Sequence, residues 1–158
     1  MNSRAWLVSV SLCFLVACGR ASSAPTAPSA ASSFLTGTWR GTLLLQVNPR
    51  DPNPPAPTSG TMEWTFEPVS QTNLQTFRVS IRSDHPWLAM TTSGSAALTP
   101  SNTPPTGIST QGEFNSPRGC RGTFGSVGDA QAARIEADFT GTDCPVTFAG
   151  RVVLTKVS

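Results

Sequence analysis

From about residue 36 onward, large apolar side chains fall at every second position. Met62, Trp64 and Phe66 alternate with Thr61, Glu63, Thr65 and Glu67. Phe77, Val79 and Ile81 alternate with Arg78, Ser80 and Arg82, and Ala133, Ile135, Ala137 and Phe139 alternate with Arg134, Glu136, Asp138 and Thr140. Val146, Phe148, Val152 and Leu154 continue the theme around Gly150. Successive side chains of a strand point to opposite faces, so this period means one buried and one wet face. No segment in this region has a helical period. The pattern predicts about eight strands, near 37–47, 60–69, 74–82, 88–98, 106–114, 119–127, 131–141 and 146–156. Turn-rich stretches separate most of them, at 48–59, 83–86, 99–105, 115–117, 128–129 and 142–145.

Eight short antiparallel strands in sequence can close into an up-and-down barrel, which removes exposed sheet edges. The expected fold is therefore all-β, an antiparallel barrel, with a β-sandwich as the alternative. Gly37-Thr38-Trp39 resembles the Gly-x-Trp that begins the first strand of lipocalins and related barrels. That resemblance implies that Trp39 plugs one end of the barrel under an arginine from the last strand. Arg151 is the only arginine on the predicted last strand, but it has the wrong parity, because Phe148, Gly150 and Val152 would face inward. Without the resemblance, Trp39 reads as a core aromatic.

Six large aromatics, Trp39, Trp64, Phe66, Phe77, Phe139 and Phe148, are candidates for the interior. An eight-stranded barrel is just wide enough for side chains or one small ligand. The aromatics favour a packed core, whereas Gly94, Ala96, Gly107, Gly112 and Gly122 favour a hollow one.

The chain opens with Arg4, an apolar run from Trp6 to Ala17, and then Cys18. The run is shorter than the roughly 20 residues a membrane-spanning helix needs and suits a signal peptide. Leu15-Val16-Ala17-Cys18 resembles the lipobox of bacterial lipoproteins. The resemblance implies removal of residues 1–17 and acylation of Cys18 as the new N-terminus. An ordinary signal peptidase prefers small residues at −3 and −1, and cleavage after Ala17 would put Leu15 at −3. Cleavage after Ala21, with Gly19 at −3, is the alternative and gives a secreted protein. More than one acyl chain anchors a protein stably. Gly19 stands where an Asp would retain such a lipoprotein at the inner membrane, so the expected location is the outer membrane, facing the periplasm.

Residues 18–33 are then the lipidated cysteine and a tether of small residues and proline with nothing large to bury. Residues 34–158 form one β-barrel domain, a length that suits a single core. The charged fraction is 13%, low for a globular chain. The net charge of +2 is too small to suggest nucleic acid.

With Cys13 lost in the signal and Cys18 acylated, Cys120 and Cys144 remain as an even pair in an oxidising compartment. They are expected to form a disulfide. In an eight-stranded meander both fall at the same end of the barrel. A metal site would need more ligands, and His85, the single histidine, is distant in sequence.

Catalytic constellations are absent from the sequence: it has no Gly-x-Ser-x-Gly, no His-Glu-x-x-His and no glycine loop for phosphate. His85 before Pro86 reads as a turn residue, and Glu136 with Asp138 as part of the solvated face. No enzyme activity and no cofactor are expected. The tether joins strand one at one end, so the opposite, distal end points away from the membrane. That end collects the proline-rich 48–59 loop, the His85-Pro86-Trp87 turn, Arg118, Arg121 and the cysteine pair. Trp87 reads either as an exposed aromatic anchor or as a plug of the barrel end. Trp87, Arg118 and Arg121 are the candidate binding residues, the arginines being able to reach acidic groups. The expected role is a binding module for a small apolar ligand or an envelope protein. The alternatives are a structural envelope lipoprotein without a ligand and an inhibitor of a secreted hydrolase.

Overall fold

The computed structural model describes residues 34–70, 75–99 and 105–157. Within them lie β1 (Gly37–Val47), β2 (Thr58–Pro68), β3 (Thr76–His85), β4 (Leu88–Thr99), β5 (Thr106–Asn115), β6 (Arg121–Ala130), β7 (Arg134–Asp143) and β8 (Val146–Val157). Each strand pairs antiparallel with its sequence neighbours, and β8 pairs back onto β1, closing the barrel. The closed ring excludes the sandwich. No described helix is long and apolar enough to cross a membrane.

The alternation does what the pattern predicts. In β3, Phe77, Val79 and Ile81 are buried while Arg78, Ser80 and Arg82 are exposed. Trp39 of β1 pairs with Trp64 of β2, and Leu43 pairs with Val152 of β8, so the apolar faces meet inside. The outward residues are mostly Thr, Ser and charged groups that pair across strands. Arg40 joins Glu63, and Glu136 joins both Arg134 and Arg151. Glu136 and Asp138 lie on this outer face, as expected of solvated carboxylates.

The interior is filled by aromatic rings in contact. Phe77 meets Phe66 edge-on at 6.4 Å, and Phe66 meets Trp64 at 5.9 Å. Trp64 reaches Phe139 at 6.5 Å, and Phe139 stacks on both Phe124 and Phe148, at 5.9 and 5.8 Å. The inward glycines make room for these rings and do not hollow the barrel. A methyl group on Gly112 would lie 2.6 Å from the Phe124 ring, and one on Gly122 would lie 2.3 Å from Phe114.

Three strands run two or three residues past their predicted ends. Gly128-Asp129 looked like a turn, but β6 continues through Ala130, and the chain reverses at 131–133 under a bond from Gln131 N–H to Arg134 O. Gly128 is needed because β7 approaches so closely that a Cβ there would sit 2.1 Å from Glu136 O. β3 runs on to His85 and β7 to Asp143, and both residues point inward and are buried. His85 is therefore a buried strand residue, which corrects its reading as part of a turn.

The end of the barrel that carries the N-terminal segment is sealed. Trp39 is fully buried, and its Nε1–H donates to Leu35 O at 2.8 Å. The cation above its ring is Lys156 and not Arg151. Lys156 Nζ lies 5.6 Å from the ring centroid and donates to Phe34 O at 2.6 Å. Lys156 shares the inward parity of Val152 and Leu154, whereas Arg151 is turned out to Glu136.

Candidate functional site

The distal end carries four connections: the 48–57 loop and three tight hairpin turns. The β5–β6 turn is dictated by Ser116-Pro117-Arg118-Gly119. Proline suits the second position of a type I turn, and Gly119 takes a φ of 86° that only glycine adopts easily. Gly119 N–H donates to Ser116 O at 3.0 Å, and the Ser116 hydroxyl accepts from Arg118 N–H at 3.1 Å. Arg118 thus stands at a fixed place on the tip.

The β3–β4 turn needs another device. Two-residue hairpins favour turns with positive φ, whereas Pro86 holds φ near −65°. The ring of His85 supplies the missing constraint, its Nδ1 accepting from Trp87 N–H at 3.1 Å. With Nδ1 an acceptor, Nε2 carries the proton and donates to Thr58 O at 3.0 Å, with the Thr58 hydroxyl also 3.0 Å away. Gly60 lets β2 approach the backbone of His85 closely, since a Cβ there would lie 2.5 Å from His85 Cα. His85 thereby ties the start of β2 to the turn that presents Trp87.

The β7–β8 turn is Cys144-Pro145, with Cys144 at a φ of 59°. A non-glycine residue there costs about 1–3 kcal/mol. Its position is held by the disulfide to Cys120, whose Cα lies 5.7 Å away, within the usual range. The expected disulfide is present. Cys120, Asp143 and Cys144 are the one described group with metal-ligand types close together, but the bond consumes both thiolates.

These turns bring Trp87 and Arg118 together. Trp87 is 47% exposed, so it does not plug the barrel, and the Arg118 guanidinium lies 5.8 Å from its ring centroid. Arg118 also faces Asp143, with Nη1 3.7 Å from Oδ2. Between them opens a cleft of about 110 Å³, walled by Trp87, Leu88, Phe114 and Pro117. Arg121 stands apart. Its side chain is 78% exposed and pairs with Glu113 at 3.1 Å. The proline-rich loop rises beside the rim, exposed over most of 50–57 and tied down where Gln46 Nε2–H donates to Pro55 O at 3.1 Å. Cys18, the expected site of acylation, lies outside the described residues.

A larger depression, about 370 Å³, lies on the outer wall among Arg40, Thr61, Glu63, Arg82 and Asp84. Its polar groups largely satisfy one another. Arg40 pairs with Glu63, and Asp84 accepts from Thr61 N–H at 2.6 Å. Bonds from the Thr61 hydroxyl and amide hold the Asp84 carboxyl below its ordinary range. Asp84 therefore faces outward while His85 faces inward, and the two do not form a catalytic pair.

Sequence reasoning missed Asp143 at this rim, and it placed His85 there as a turn residue, not as the buried end of a strand. Parity could have found both: Ile135, Ala137, Phe139 and Gly141 lead inward to Asp143, and Phe77, Val79, Ile81 and Ser83 lead to His85. Comparison with protein-family models, curated proteins and solved structures finds no match to this chain.

Proposed function

We propose that the chain is a lipid-anchored lipoprotein of the bacterial cell envelope, at the outer membrane facing the periplasm, and that it binds a protein partner at its distal rim. The observation that carries this reading is a contrast in the barrel's aromatics. Six interior rings contact one another, while Trp87 stands half-exposed on a turn fastened by His85, with Arg118 over its ring. A filled interior favours the rim over a cavity for a small apolar ligand. An aromatic held in place loses little entropy on docking and contributes a large contact area. Both ring nitrogens of His85 are engaged, which favours binding over catalysis.

Two measurements test the reading. Intact-mass analysis of the membrane fraction should find Cys18 as an acylated N-terminus, and a soluble form beginning at Ser22 would remove the anchor. Trp87→Ala should weaken capture of envelope protein in a pull-down. Val127→Ala, a change at an even more exposed apolar residue on the wall, should not. Equal capture by both variants would contradict the rim as the docking surface.

A further inference from the structure

We propose that the cleft between Trp87 and Asp143 is a cation site that takes a basic side chain of the protein partner, and that Arg118 is the built-in occupant which that side chain displaces. The inference rests on the rim reading and names the chemistry of what docks there.

Asp143 carries the argument. The inward parity of β7 places it at the barrel mouth, where the residue is only 5% exposed. A carboxylate in such a place needs donors, because burial without hydrogen bonds is costly. Its Oδ1 lies 4.0 Å from Cys120 Sγ and 3.9 Å from Cys144 Sγ, but sulfurs joined in a disulfide have no proton to donate. Arg118 Nη1, at 3.7 Å, is beyond hydrogen-bond distance. Among the described residues no N–H or O–H group donates to this carboxylate, and it faces the cleft. A buried, under-satisfied anion at the floor of an apolar cleft calls for a cation.

The walls specify what kind of cation. The face of a tryptophan ring attracts ammonium and guanidinium groups within about 6 Å of its centroid. Leu88, Phe114 and Pro117 offer apolar surface to a methylene stem, which a lysine or arginine side chain has and a metal ion lacks. The open volume, about 110 Å³ with Arg118 as one of its walls, grows when the Arg118 side chain leaves. Arg118 already displays the preference, its guanidinium lying over the Trp87 ring and towards Asp143.

Arg118 can leave without damage to the fold. Its turn stands on backbone bonds and on the Ser116 hydroxyl, and its own side chain is 41% exposed. Exchange of one cation for another keeps the Asp143 charge compensated throughout. While Arg118 occupies the cleft, the apparent affinity for an incoming cation falls by the fraction of time the cleft is open. A partner side chain that reaches Asp143 within hydrogen-bond distance gains what Arg118 does not make.

The test titrates the full chain with N-acetyl-lysine-N-methylamide and its arginine counterpart, following the Trp87 indole N–H by two-dimensional NMR. N-acetyl-norleucine-N-methylamide serves as the uncharged control. Arg118→Ala should tighten the cationic probes by about tenfold or more through loss of the internal competitor. Asp143→Asn in that background should abolish saturable binding, and norleucine should not bind. If Asp143→Asn does not fold, Trp87→Leu with Arg118→Ala removes the ring and should abolish binding likewise, read there from the backbone amides of Leu88 and Gly119. Unchanged affinity in Arg118→Ala, binding that survives loss of the carboxylate or the ring, or equal binding of norleucine would each overturn the proposal. Loss of partner capture in Trp87→Ala without probe binding in Arg118→Ala would spare the rim reading and remove the cation site. Probe binding with capture untouched by Trp87→Ala would keep the site and remove the rim reading.

Discussion

The two ends of this barrel each pair a tryptophan with a cation, and they put the pair to opposite uses. At the end that carries the N-terminal segment, Trp39 is fully buried, its indole N–H is bonded to Leu35 O, and Lys156 lies across the ring and bonds Phe34 O. Every polar atom of that arrangement is engaged, and the end is closed. At the distal end, Trp87 is held by its backbone, its ring is half in solvent, and Arg118 covers it from a mobile class of side chain. The carboxylate beneath, Asp143, accepts no hydrogen bond from the described residues. The same chemical pair makes a plug where its polar atoms are satisfied and a contact surface where they are not.

Truncation should separate the two ends most strongly. Trp39→Ala removes a fully buried indole and should destabilise the barrel by about 3–5 kcal/mol in chemical denaturation. Trp87→Ala removes a half-exposed ring and one exposed cation–π contact, so its cost should be about 1 kcal/mol or less. Equal losses would mean that the distal end is a plug as well.

The disulfide comes next. It joins Cys120 and Cys144, 24 positions apart in sequence. Replacing both cysteines by serine should cost about 3 kcal/mol, through the freedom regained by the unfolded chain. The loosening should also be local. Hydrogen exchange should quicken in the 116–120 and 144–145 turns and stay slow around Trp39. A uniform increase would show that the rim is not a separate unit of stability.

Much of the architecture was legible because one signal, the period of two, governs all eight strands. It located β1 and the start of β8 and sorted the interior from the wall. It failed where composition and parity disagree. Ser83-Asp84-His85-Pro86 and Thr142-Asp143-Cys144-Pro145 read locally as turns, yet each continues its strand into the barrel mouth. Polar residues can face inward there because hydrogen bonds and ion pairs from neighbouring turns reach them. Gly128-Asp129 misled for the opposite reason, since that glycine answers a close strand approach. The disulfide followed from an even pair of cysteines placed by the meander at one end, whereas for Trp87 the sequence left an exposed anchor and a barrel-end plug both open. The stacking of Arg118 on Trp87 was beyond the sequence, because it depends on how three separate turns lean together. The cation over Trp39 was sought on the correct strand but at Arg151, where parity already argued against it.

The smallest effect lies on the wall between the two ends. The Arg151 guanidinium, and after it Arg134, hold the Glu136 carboxyl below the usual carboxylate range. A folded-state value below the unfolded one, about 4.3, adds stability that is present above that pH. It is lost as the pH falls through the folded value. Glu136→Gln should therefore be slightly less stable than the parent at neutral pH and indistinguishable from it in strong acid. Because the triad is exposed, added salt should narrow the neutral-pH gap. A gap that persists in acid would mean that Glu136 acts through packing and not charge.

The most direct test of the central claim, a filled barrel that works from its distal rim, is photo-crosslinking in intact cells. A photoreactive amino acid would replace Ala89, exposed beside Trp87 on the rim, Val127 on the wall, or Lys156 at the sealed end, in the full-length chain. A discrete protein adduct is expected from position 89 and not from the other two. Adducts of equal yield from all three positions, or from position 156 alone, would contradict it.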